Sequence, residues 1–176
     1  MWGQSESELL LTTAELSVAF AGFASLASVL GRRFSRDDLE VDAGRLLNML
    51  TVSLSVTGLA LVPFIPMLLA WSPRWVWGSA GGLGVAAMAV VVPIVMRRIR
   101  EMKPYAGYNR GALAANNVLG VVAFLGLTCS LLGVPTEAQF AAYFTSLLAL
   151  LGVSGVLFYR VIASLLQPNG PGPDHK

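Results

Sequence analysis

Five long uncharged runs, separated by short charged clusters, limit this chain more than any other feature. They lie at roughly 9–30, 46–70, 75–96, 112–134 and 141–166. Each is long enough to cross about 30 Å of hydrocarbon, which takes about 20 helical residues. The runs are continuous and rich in Leu, Ala and Gly. They lack the period-2 alternation of a membrane barrel, so helices are predicted. Charged residues make up 12% of the chain against about 25% in a soluble domain, and that deficit falls entirely within the runs. The sequence therefore predicts an all-α, polytopic membrane helix bundle with five transmembrane helices. Residues 1–166 form one helical domain, and 167–176, a Pro/Gly-rich stretch, form a disordered tail. The odd number of spans rules out two equal halves of whole spans, and no internal repeat is visible.

Basic residues set the orientation. Arg32, Arg33, Arg36 and Arg45 lie between the first two runs, and Arg97, Arg98, Arg100, Lys103 and Arg110 between the third and fourth. Lys176 closes the tail. Five crossings put all three groups on one side, and the opposite side keeps only Arg74, with Glu6, Glu8 and Glu137. The positive-inside rule then predicts the N-terminus outside and the C-terminus in the cytoplasm. The start "MWGQSESELL" has no basic region, so the first run is expected to be a retained span rather than a signal peptide. The predicted location is the cell membrane, multi-pass, and the inner membrane in a bacterium. The net charge of +2 does not point to nucleic acid, because the bases flank the spans and meet anionic lipid head groups there.

Local signals refine the ends. Ser5/Glu8 and Thr136/Gln139 have the spacing of capping boxes. "GVPTEAQ" and "WSPRW" read as tight hairpins. "SRDDLEVDAGRLLNML" looks like an amphipathic surface lead-in to the second span, and its acids Asp37, Asp38, Glu40 and Asp42 read as a solvated, salt-bridged face. Pro63 and Pro66 should bend the second span and Pro93 the third. Trp71, Trp75 and Trp77 are expected to form an interfacial belt.

Few side chains carry chemistry. Glu15 stands about six residues, or about 9 Å, inside the first span. An intramembrane carboxylate is a candidate ion or proton site by default. Thr128, Ser130, Tyr143 and Thr145, with Ser146, lie at similar depth, and hydrogen bonds from some of them to Glu15 are expected. The alternative for Glu15 is a carboxylate that ties helices together or snorkels to the interface. Near the basic side, Asn116, Asn117 and Arg160 form a candidate inner polar site. Arg160 reads first as a side chain snorkelling to phosphates, and one of the amides as an interhelical hydrogen bond. The hydroxyls Thr51, Ser53, Ser55 and Thr57 are expected to bond their own backbone.

Small residues suggest where helices approach. Gly22 and Ala19 follow Glu15 on its face, and Ser17, Ala21 and Ser25 make a neighbouring ridge. Gly78, Gly82 and Ala86 make a third face.

Absences narrow the function. His175, the single histidine, is in the tail, and no lysine lies within a span. No bis-histidine haem, His-based metal site, retinal-type Schiff base, phosphate loop or intramembrane protease pair is encoded in the spans. Cys129, the single cysteine, is read as a small apolar packer. No cofactor is expected, and an enzyme ranks third among the readings because no catalytic constellation is visible. The reading ranked first is a membrane-embedded interaction or scaffold subunit that forms homo- or hetero-oligomers through its first and third spans. The second is a homo-oligomeric channel or transporter subunit using Glu15.

Overall fold

The computed structural model describes residues 4–30, 36–102 and 110–166, which form six helices and no strand among the described residues. These are α1 (Gln4–Leu30), α2 (Arg36–Leu61), α3 (Phe64–Leu68), α4 (Pro73–Met102), α5 (Arg110–Leu132) and α6 (Gln139–Leu166). A 3-10 turn, Thr136–Ala138, leads into α6. Five segments are long and apolar enough to cross a membrane: Gln4–Leu26, Leu46–Leu68, Pro73–Arg98, Gly111–Leu132 and Thr136–Ala163. All five predicted spans are therefore present as helices. The tail 167–176 and the loop bases Arg32, Arg33 and Lys103 lie outside the described residues, as do the side chains of the acidic cluster at 37–42.

The long helices run up and down. Ser17 of α1 meets Thr57 of α2 and Ala24 clusters with Met49, while Ser53 and Leu59 of α2 meet Ser154 and Tyr143 of α6, so these neighbouring chain directions alternate. The pair α2 and α6 forms the centre. Helix α1 packs on one side of it, and α4 and α5 on the other. The core runs from Leu10 and Val56 through Leu59, Val76 and Ala123 to Tyr143 and Leu147. A smaller cluster joins Ala24, Met49 and Leu157, with Phe20 and Phe23 against Phe158.

Several local expectations are revised. Gln4 is already helical in α1, so Ser5 lies within the helix and is not the N-cap of a box with Glu8. Residues Arg36–Leu61 make one uninterrupted helix, so the expected lead-in joins the second span without a break. Thr136 does not open α6: it begins the 3-10 turn, whose N-cap is Pro135 with no side-chain hydrogen bond. Gln139 instead donates from Nε2 to the Ser130 carbonyl (3.1 Å), supplying one of the partners that the last turn of α5 lacks. The hairpin turns at Gly133, whose φ of 69° is the left-handed conformation glycine accepts, with its N–H and that of Val134 donating to the Cys129 carbonyl.

The second span does not merely bend. It breaks at Val62–Pro63 and resumes as α3. Proline has no N–H, so Pro63 deprives the Leu59 carbonyl of its helical donor. Two donors replace it: Val62 N–H (3.3 Å) and the phenol of fully buried Tyr143 (2.6 Å). Helix α3 ends in a Schellman arrangement, with Trp71 N–H on the Pro66 carbonyl and Ala70 N–H on that of Met67. The left-handed position is filled by Ala70 (φ 54°) rather than glycine. Helix α4 continues unbroken through Pro93.

The helix approaches also differ in register. On α4 the contact with α5 is made by Gly81 and Gly84, one step round from the expected Gly78–Gly82–Ala86 face. A methyl at Gly81 would sit 2.7 Å from Leu131 N and 2.8 Å from the Leu127 carbonyl oxygen. Gly78 and Gly82 flank this contact, and Ala86 is exposed. Helices α5 and α6 meet at Gly126, where an added methyl would strike the Ser146 hydroxyl and lie 2.6 Å from the Ala142 carbonyl oxygen. On α1 the ridge Ser17–Ala21 is buried against its neighbours, while Ser25 is exposed and bonds its own Ala21 carbonyl. Gly22 faces open space. Trp71 and Trp75 are exposed as a belt requires, but Trp77 is in the core against Phe140 and Tyr143. Cys129 is exposed rather than packed.

Candidate functional site

Two places collect the polar residues singled out from the sequence, and they lie on opposite sides of the α2–α6 pair. The first is the outward face of α1. Glu15 is exposed there, with Leu11, Thr12, Val18, Ala19 and Gly22 around it, all exposed as well. The hydroxyls expected to meet Glu15 are occupied elsewhere. Thr128 donates to the Phe124 carbonyl (2.8 Å), Ser130 to that of Trp77 (2.9 Å), Tyr143 to that of Leu59 (2.6 Å) and Ser146 to that of Ala142 (2.8 Å). Thr145 is exposed on α6. These residues share a depth but not a site, because depth along a helix says nothing about direction around it.

The second place is a partly open cavity of about 800 Å³ between the basic halves of α2, α4, α5 and α6. That size falls within the range of small-molecule pockets. It begins where the glycine contacts between α4 and α5 end. Gly81 and Gly84 hold the two helices together beside Leu127 and Leu131, and below them the cavity wall runs from Val85 to Met96 on α4 and from Leu125 to Leu113 on α5. Exposed wall residues, Val92 and Met96 on α4 with Asn117 and Val121 on α5, mark a lateral opening between these helices.

The wall is aliphatic at its deep end and polar at its basic end. Asn48 on α2, Asn116 and Asn117 on α5 and Arg160 on α6 all line it, with Ser55 the one polar group nearer the middle. The structure thus brings the predicted inner group Asn116, Asn117 and Arg160 to one cavity. The Asn116 Oδ1 atom is buried and has no hydrogen-bond partner among the described residues. Asn48 is fully buried, and Arg98 donates from Nη1 both to its Oδ1 (3.3 Å) and to Thr51 Oγ1 (3.2 Å). Sequence reasoning missed this clamp. The available signal was the i, i+3 spacing of Asn48 and Thr51, which places both on one face near the start of the second span.

Three of the four α2 hydroxyls bond their own backbone as expected: Thr51 to Leu47, Ser55 to Thr51 and Thr57 to Ser53; Ser53 instead donates to another helix. Thr57 and Ser53 make contacts between helices. Ser17 and Thr57 share a hydrogen bond of 2.7 Å, and Ser53 donates to Ser154 (3.1 Å).

These features define a multi-pass membrane-type helical protein, with five crossing-length helices, three of them packed around the central α2–α6 pair. No protein-family model, no curated protein and no solved structure matches the chain.

Proposed function

We propose that this protein is a multi-pass subunit of the cell membrane, N-terminus outside and basic side in the cytoplasm, that assembles with a second copy of itself through the outward face of α1. The observation that supports this reading is Glu15, a carboxylate within a crossing-length helix that points away from its own bundle. Hydrocarbon offers it no hydrogen-bond partner. A carboxylate facing lipid at mid-membrane costs about 2.5–3.5 kcal/mol, less toward the interface. A two-fold axis beside α1 would put two Glu15 side chains at equal depth by symmetry. One protonated carboxyl would then donate to the other, with Thr12 one turn away as a further hydroxyl. Ala19 and Gly22 on the same face would let the two backbones approach closely.

Disulfide trapping in native membranes tests this. With Cys129 replaced by Ala, a cysteine at Ala19 or Gly22 should give a cross-linked dimer, and one at buried Ser17 should not. Glu15→Leu should weaken the dimer. A monomer in every case, or cross-linking only to a different protein, rejects self-assembly through α1.

The transport reading is narrower than the sequence suggested. No described α1 residue lines this cavity, so it supports no path from Glu15 through it, and we place the transport reading on an axis between copies. Ion flux into liposomes that disappears in Glu15→Gln would support it.

A further inference from the structure

We propose that the cavity between the basic halves of α2, α4, α5 and α6 is a lipid site, holding one acyl chain of an anionic amphiphile whose head group bonds Asn116 and faces Arg160. The inference does not depend on assembly through α1, since none of the cavity wall comes from that helix.

The polarity gradient carries it. Along α6 the wall runs from Leu150 through Val153 and Leu157 to Arg160, about 15 Å of helix rise. Along α5 it runs from Leu125 to Asn117 and Asn116, and along α2 from Leu59 to Asn48. On each of these three helices the apolar end is deep and the polar end is at the basic side. An amphiphile lying parallel to the helices has the same order, tail inward and head toward the arginines. A molecule polar throughout would leave its deep end without partners, and a pure hydrocarbon would leave the amides without theirs.

The head-group chemistry follows from two observations. The orphan Asn116 Oδ1 is an acceptor and requires a donor, which a hydroxyl supplies. Arg160 on the wall, and Arg98 beside Asn48, favour an acidic group over a zwitterion. A hydroxyl-bearing anionic phospholipid such as phosphatidylglycerol meets both. A free fatty acid meets the charge requirement when ionised or the donor requirement when protonated, and not both at once. The lateral opening between α4 and α5 admits either from the surrounding leaflet without passage through water.

Gly120 provides a clean test, because it lines the cavity and a methyl built on it meets no atom within 4 Å. Gly120→Phe should fill the site without disturbing helix contacts. Purified wild-type protein in neutral detergent would be titrated with phosphatidylglycerol, oleic acid and phosphatidylcholine, and one-to-one adducts counted by native mass spectrometry. Phosphatidylglycerol or oleic acid should bind about tenfold or more tightly than phosphatidylcholine, the stronger of the two identifying the source. Gly120→Phe should abolish the adduct while its helical circular dichroism is unchanged. Asn116→Leu should reduce the preference for phosphatidylglycerol over phosphatidylcholine, leaving the part due to the arginines. Equal binding of all three lipids, or an undiminished adduct in well-folded Gly120→Phe, overturns the proposal. Should that variant misfold, a diazirine on the acyl chain of phosphatidylglycerol decides on the wild-type protein. Labels within 85–96 and 113–125 support the site, and labels confined to other surfaces reject it.

Discussion

At the end of the bundle where α1 begins, α4 and α5 touch almost backbone to backbone. Toward the basic end the same two helices part around a cavity. Both ends have apolar side chains facing between the helices, so hydrophobicity alone does not explain the difference. In a bilayer it cannot, because lipid tails are as apolar as leucine and helix association depends on close packing and hydrogen bonds. The tight end has Gly81, Gly84 and Gly126 where helices cross, and its buried polar groups are paired: Ser130 with Trp77, Gln139 with Ser130, Tyr143 with Leu59. At the loose end Gly120 faces empty space and an Asn116 oxygen has no partner among the described residues. Glycine joins helices only where another backbone is opposite it, and an unpaired polar atom marks where packing was left incomplete.

The comparison can be broken experimentally, and the glycines should show the largest effect. Gly81→Leu forces a side chain into the backbone of α5 and should cost about 3 kcal/mol or more, the upper range for overpacking, or prevent folding. Gly120→Ala, the same kind of change at the loose end, should stay within about 1 kcal/mol and leans toward stabilisation by helix propensity. Unfolding in detergent would measure both, and equal costs would remove the distinction between the two ends.

Tyr143→Phe comes next. It takes the phenol from a carbonyl that Pro63 has already deprived of its helical donor, so a loss of about 1–3 kcal/mol is expected in the same assay. No measurable loss would mean that the Val62 N–H alone satisfies Leu59. Ala70→Gly should raise stability by about 1 kcal/mol, because glycine has no Cβ to strain at φ 54°. The smallest effect should be Ser53→Ala, about 0.6 kcal/mol for an interhelical hydrogen bond in a membrane.

Some of the site was legible in the sequence and some was not. Asn116, Asn117 and Arg160 were grouped because all three fall near the same end of their helices, and a cavity there collects them. The grouping of Glu15 with Ser130 and Tyr143 used the same reasoning and does not hold, because their side chains point to different neighbours. Trp77 was assigned to the belt with Trp75, yet two positions on a helix differ by about 200° in direction. One tryptophan is 68% exposed and the other 3%. Pro63 was foreseen as a disturbance, but not the phenol, from a helix about 80 residues away, that mends it.

The sequence alone determined the number of crossing-length helices, their approximate limits and the placing of the arginines at the ends that α1 and α4 reach last. These depend on local composition and length, which a bilayer-sized apolar run displays directly. Only the tertiary structure decided which side of each helix is buried. In helices apolar on all sides the usual 3.6-residue contrast between core and solvent faces fades. Direction is then set by which glycines find a backbone opposite and which hydroxyls find a partner. Both conditions belong to pairs of helices, and neither can be read from one helix by itself.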